Sequence, residues 1–321
     1  MGFQIAAILP GSAIDGLCRN RHGLLSRMAL VTKTGPANGA LQIGTTLHSV
    51  SVMEEADSTG SSHSAPKRLA LLHSQNEKAA EAAFKLADCN DFVSLEDAEA
   101  VITLGGDGFM LDTLHSMLDL ETVKPVFGLN LGTVGFLMNR HIQSCDLVER
   151  VAKARRFTVS PLRMEAITQS GERETSCAIN EVSLLRETRQ TAKIEISVNG
   201  RVRISQLAGD GVLLSTPVGS TAYNLSANGP ILPLDSRMLA LTPISPFRPR
   251  RWPGAVLPDS SRVTFRVHEP AKRPVAVVAD QKEVRDVAEV HVEIARDKEM
   301  TLLFDPGHAL DERIVAEQFL T

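Results

Sequence analysis

The sequence predicts an α/β amino-terminal domain with a parallel sheet, followed by a β-rich carboxyl-terminal domain. Three observations carry that prediction. From Lys67 onward, short apolar runs alternate with helical stretches, the rhythm of strands laid parallel through helical crossovers. Past Phe157 the helical stretches give way to one strand-like run after another. With 43% hydrophobic residues among 321, the chain can bury the core such an architecture needs.

Residues 1–66 read as a poorly ordered extension or linker. Lys33 to Pro66 carries Gly-Pro, Asn-Gly and Ser-Thr-Gly-Ser-Ser clusters with no hydrophobic period. The first strand is Arg68 to His73. Ser74-Gln75-Asn76-Glu77 then reads as a capping box, with Ser74 as the cap and an amphipathic helix over Lys78 to Leu86. Ala100 to Leu104 is a second buried strand, followed by Gly105-Gly106-Asp107-Gly108 and a helix from Phe109 to Leu118. Val126 to Leu129 is a third strand, and Cys145 to Ala154 a further helix. Strands are then expected over Arg163–Gln169, Cys177–Leu185, Lys193–Val198, Val212–Ser215, Arg262–His268, Val275–Ala279, His291–Ile294 and Thr301–Phe304. The resulting domains are 67–157 (α/β) and 158–305 (β-rich), with a helix at 306–321 expected to pack back on the first domain.

Composition excludes several function classes. A net charge of −4, from 34 basic and 38 acidic residues, lacks the basic excess of a nucleic-acid binder. One Trp and one Tyr cannot build a base-stacking platform. No apolar run reaches the roughly 18–20 residues that span a bilayer. The apolar start, Phe3 to Leu9, has no basic flank of the secretory kind. A cytoplasmic location with no membrane partner is therefore expected. Cys18, Cys89, Cys145 and Cys177 form no C-x-x-C pair, and the nine histidines show no zinc-ligand spacing, so no protein-held metal is expected.

Four segments interrupt the apolar pattern with chemistry. In Gly105-Gly106-Asp107-Gly108, glycines let a ligand approach the backbone, and the helix that follows offers free amides to phosphate. Asp107 is the odd residue there, because a carboxylate beside phosphate needs a proton, a hydroxyl or a metal to act on; a simple helix cap is the plain alternative. Asn130-Leu131-Gly132-Thr133-Val134-Gly135-Phe136-Leu137 follows the third strand, at the edge where open α/β sheets bind ligands; a plain glycine-rich connection is its alternative. Asn180 and Glu181 break an apolar run. Either the strand ends there or the pair faces a ligand, Asn reading an adenine edge and Glu accepting from ribose hydroxyls. Finally, Gly209-Asp210-Gly211 leads through an apolar strand into the hydroxyl-rich turn Ser215 to Ser226, which holds Tyr223, the chain's one tyrosine.

Taken together, these four segments resemble the NAD kinase (ATP-NAD kinase) family over about residues 67–310. The Gly-Gly-Asp-Gly turn alone is shared with lipid kinases and phosphofructokinases; Asn180-Glu181 with Gly219-Ser220-Thr221-Ala222-Tyr223 is the more specific signal. The resemblance implies an active site between the two domains and a homodimer or homotetramer. It implies phosphoryl transfer from ATP to the adenosine 2′-hydroxyl of NAD, with a divalent cation such as magnesium. Asp107 matches the proton acceptor. Gly108, Phe136, Asn180, Glu181, Asp210, Val218 (through its backbone), Thr221, Ala222, Tyr223, Asn224, Leu225, Ser226 and Gln281 match NAD-binding positions. Asp280-Gln281 stands where the family often has Asp-Gly-Gln, and Ala208 stands where some members carry a basic residue. Residues 1–66 match nothing in the pattern. Two other functions fit the same turns: a lipid or sugar kinase of this fold type, and a non-catalytic NAD-binding sensor.

Overall fold

The computed structural model describes residues 66–118, 123–133, 135–142 and 146–307, all within one compact unit. The expected extension and the expected terminal helix lie outside the described residues, apart from their innermost positions. The chain begins β1 (Leu69–His73), α1 (Glu77–Ala87), β2 (Ala100–Gly105), α2 (Asp107–Leu118), β3 (Val126–Asn130), β4 (Asn139–Arg140), α3 (Leu147–Ala152) and β5 (Arg155–Val159). It continues with β6 (Leu162–Thr168), β7 (Arg173–Ala178), β8 (Glu181–Arg186), β9 (Ala192–Val198), β10 (Arg201–Gly209) and β11 (Gly211–Ser215). A 3-10 turn (Val218–Thr221) and the short α4 (Tyr223–Ser226) follow. Then come β12 (Met238–Ile244), β13 (Ala255–Pro258), β14 (Val263–Val267), β15 (Val275–Ala279), β16 (Lys282–Val284), β17 (Val287–Ile294) and β18 (Met300–Phe304).

The first sheet runs β1-β2-β3-β18-β5, with β4 beside β3. It is parallel except at β5, which runs antiparallel to β18. Residues 300–304 thus return to the amino-terminal sheet, away from the β-rich part. β2 is buried along its whole length, which is why it reads as a continuous apolar run rather than an alternating one. On α1, Ala79, Ala82, Ala83 and Leu86 form the buried stripe of a helix lying on a sheet. Its cap is Asn76, whose side chain accepts from the amide of Ala79; Ser74 Oγ accepts from Asn76 instead of capping. The expected capping box was displaced because Asn, two residues later, meets the same free amide directly.

The other two sheets, β10-β9-β14-β17-β6-β7 and β13-β12-β11-β8-β15-β16, are antiparallel throughout. They share one core, in which Ile194, Ile196, Phe265 and Val290 of one meet Val182, Leu184, Leu214 and Val277 of the other. Each fully buried side chain of this kind contributes about 1.5–3 kcal/mol. The expected strand Cys177–Leu185 is two strands: β7 ends at Ala178 in one sheet and β8 begins at Glu181 in the other. Asn180 sits at the corner between them. β10 was not legible in the sequence because two register shifts, between Val202 and Ile204 and between Ile204 and Leu207, break its alternation. A separate core joins the two parts of the chain, packing Met110, Leu114 and Met117 of α2 with Ile179 and Val218.

Candidate active site

The two glycine turns leave the same edge of the first sheet. β2 ends at Gly105 and β3 at Asn130, and these residues are register partners in the parallel ladder. This is the carboxyl edge, where open α/β sheets bind ligands. The turns are tied together by the amide of Leu131, which donates to the Gly105 carbonyl at 2.7 Å. Asn130 Oδ1 accepts from the amide of Gly132 at 2.9 Å. Gly135 has φ +72°, and a Cβ there would stand 2.3 Å from the Asn130 side chain, so glycine is required.

Asp107 is the first residue of α2 and is half-buried. Its carboxylate accepts from the amide of Phe136 at Oδ2 (3.0 Å) and from that of Leu137 at Oδ1 (2.8 Å). It therefore braces the second glycine loop, a role beyond the simple cap of its own helix. A carboxylate has about four acceptor positions, and these two bonds leave capacity for a ligand hydroxyl. Next to it Gly108 is exposed, with open space where a side chain would project.

The Ile179–Asn180 corner is held from both sides. Asp280 accepts from the amides of Ile179 (2.6 Å), Asn180 (3.0 Å) and Glu181 (3.2 Å). The Ile179 carbonyl accepts from Thr216 Oγ1 at 2.6 Å, and the Asn180 carbonyl from the Thr216 amide at 2.9 Å. The backbone of the corner is thus engaged by protein, and the half-buried Asn180 and Glu181 side chains carry what chemistry it presents. Gly219 packs on the corner so closely that a Cβ would stand 2.2 Å from the Asn180 carbonyl oxygen.

Electrostatics groups three more residues there. Burial, and after it the Asp280 carboxylate, push the Glu181 carboxyl up to about 7, and its Oε2 is buried with no partner. Burial and then the carboxylates of Glu181 and Asp210 push the Tyr223 phenol up, which marks the three as neighbours. Asp210 is paired with Arg186 at 2.5 Å. Thr221, Ala222 and Leu225 are half-buried and Ser226 is exposed. Val218 is buried in the core that joins the two parts. Asn224 is fully buried: its amide donates to the carbonyls of Ser220 (3.1 Å) and Pro230 (2.8 Å), and its Oδ1 accepts from Thr242 (2.7 Å). Its hydrogen-bonding groups hold the turn's own shape. Gln281 is exposed and donates to Asp112 of α2 at 2.8 Å. Asp112, His115 and the structural task of Asp280 had no local sequence signal, since their partners lie 100 residues or more away.

Comparison with known proteins accounts for the whole constellation. Residues 36–154 match the family described as the ATP-NAD kinase N-terminal domain, and residues 179–304 match the ATP-NAD kinase C-terminal domain. The chain belongs to the NAD kinase family. The amino-terminal match starts at residue 36, so family similarity reaches upstream of Lys67, where none was expected. An NAD kinase of Zymomonas mobilis is 58% identical over 252 residues, covering 78% of this chain and 97% of that protein. An NAD kinase of Caulobacter vibrioides is 53% identical over 252 residues, covering 78% and 96%. Among solved structures, a yeast NADH kinase complexed with NADH has a TM-score of 0.65 at 20% identity, covering 79% of this chain and 88% of that one. An NAD kinase from Archaeoglobus fulgidus in complex with ATP has a TM-score of 0.62 at 22% identity, covering 78% and 98%. Those two structures speak for the NAD kinase fold alone.

Proposed function

We propose that this protein phosphorylates the adenosine 2′-hydroxyl of NAD with ATP, giving NADP. The reading is carried by similarity along nearly the full length of relatives named NAD kinase, at 58% identity for the one from Zymomonas mobilis. Asp107 is the general base. The 2′-oxygen bonds to the γ-phosphorus as the bond to the β–γ bridging oxygen breaks; ADP leaves, and the hydroxyl proton passes to the Asp107 carboxylate. Such assistance is worth about 10²–10⁴-fold. Amides of the Gly106–Gly108 turn hold phosphate oxygens. Asn180 reads the adenine edge, and Glu181 engages a ribose hydroxyl as acceptor or, when protonated, as donor. Asp210, Tyr223, Phe136 and the Thr221–Ser226 turn line the rest of the NAD site, with Val218 and Asn224 shaping it and Gln281 acting through α2.

Among the described residues no group of three or more His, Cys, Asp or Glu is built to cage a metal ion. The divalent cation, magnesium by choice, accordingly fits as part of the metal–triphosphate substrate, where it neutralises donor charge. Among the described residues no helix is long and apolar enough to cross a membrane. We further propose a cytoplasmic homodimer or homotetramer.

The test is one coupled assay: purified protein, NAD, ATP and magnesium, read out by an NADP-specific dehydrogenase. NADP formation is expected. NAD binding by calorimetry without NADP would instead mark a sensor, and phosphorylation of a lipid extract with NAD untouched would mark a lipid kinase.

A further inference from the structure

Helix α2 meets the β-rich part through two side chains on one face, Asp112 and His115, three residues apart. His115 Nε2 lies 2.7 Å from Asp280 Oδ2. The Asp280 side chain is fully enclosed, and its backbone has φ +51°. Its two oxygens have four partners: His115 and the Ile179 amide at Oδ2, and the Asn180 and Glu181 amides at Oδ1. A carboxylate has about four such positions, so Asp280 is saturated. Three of those bonds belong to the corner that presents Asn180 and Glu181. The fourth belongs to the helix that begins at Asp107.

We propose that His115 is a positioning residue for phosphoryl transfer: through Asp280 it fixes the Asn180–Glu181 corner relative to the helix that carries Asp107. The proposal rests on the NAD kinase reading. Base and nucleotide-binding corner come from opposite parts of the chain, and transfer requires them to hold one hydroxyl in common. A rigid helix carries the position of His115 to Asp107. A misplacement of about 1 Å, even from a site remote from the chemistry, costs up to about 10²-fold in rate. Leu118 and Cys177 line the same pocket wall as His115, so the imidazole has room for isosteric replacement.

The experiment compares the full chain with His115→Leu, His115→Asn and His115→Gln, measuring kcat, KM for NAD and for ATP, and thermal unfolding. Gln places a donor near the Nε2 position; Asn is too short and Leu has none. The expected result is a kcat lowered on the order of tenfold in the Leu and Asn variants, KM for ATP within about twofold, and more than half of the wild-type rate in the Gln variant. A merely structural role would move all three with their unfolding temperatures. Gln no better than Asn, or losses that track the unfolded fraction at the assay temperature, overturns the proposal. Should Leu fail to fold, the Gln–Asn pair decides alone. Absence of NADP formation by the unmodified chain overturns the kinase reading itself, whereas normal turnover in every variant overturns only the role of His115.

Discussion

The main-chain amide of Leu137 donates to Oδ1 of Asp107 across 2.8 Å. With the neighbouring bond from Phe136, it makes the carboxylate a brace between two glycine turns as well as the proposed base. Asp107→Asn separates those tasks. Its NH₂ group cannot accept, so one of the two amides loses its partner, a cost of about 1–3 kcal/mol. The chain is expected to fold with a lowered unfolding temperature, to bind NAD with little change by calorimetry, and to lose about 10²–10⁴-fold in kcat. Turnover near that of the unmodified chain would remove Asp107 from the chemistry.

Glu181 makes stability depend on pH in a defined direction. Its carboxyl is raised to about 7 in the folded chain, by burial first and the Asp280 charge second. Unfolded, it titrates at an ordinary value of about 4.3. Between those values the folded chain keeps a proton that the unfolded chain has released. The contribution of Glu181 to stability therefore falls as pH rises through that window and levels off above about 7. Glu181→Gln removes the penalty. Urea titrations at pH 5 and pH 8 should show the variant gaining on the unmodified chain at the higher pH, by at most on the order of 3 kcal/mol. An equal difference at both values would contradict the assignment.

Gly219→Ala tests the close approach of the hydroxyl-rich turn to the corner. The added Cβ would stand 2.2 Å from a backbone oxygen, which cannot swing aside as a side chain does. A loss of about 1–3 kcal/mol is expected, together with weaker NAD binding, because the strain falls on Asn180. Unchanged unfolding temperature and unchanged affinity would show that the turn moves freely.

Asn224→Ala should behave as a folding variant. It strands the Ser220 and Pro230 carbonyls and the Thr242 hydroxyl, all held by one buried amide. A loss of at least about 2 kcal/mol in denaturant titration is expected. Full stability paired with lost NAD affinity would instead make Asn224 a direct ligand contact.

Much of this protein is legible in local pattern. The apolar runs at 69–73, 100–105 and 126–130, the helices after them, and the glycine turns at their ends each carry their signal within a few residues. Strands that alternate cleanly, such as Val263–Val267, were equally plain. The capping residue of α1 was misjudged by two positions because Ser and Asn compete for one amide, and geometry decides between them. β10 was hidden by its bulges.

By itself, the sequence determined the order of strands and helices, the two glycine turns and the residue types that handle phosphate and ribose. Only the tertiary structure decided that Asn180 turns a corner between two sheets, that Phe304 closes the amino-terminal sheet, and that Asp280 joins His115 to three amides of that corner. The physical reason is range. Periodicity and turn chemistry act between near neighbours. A buried carboxylate is satisfied by whichever donors folding brings to it, and here the side-chain donor lies 165 residues away.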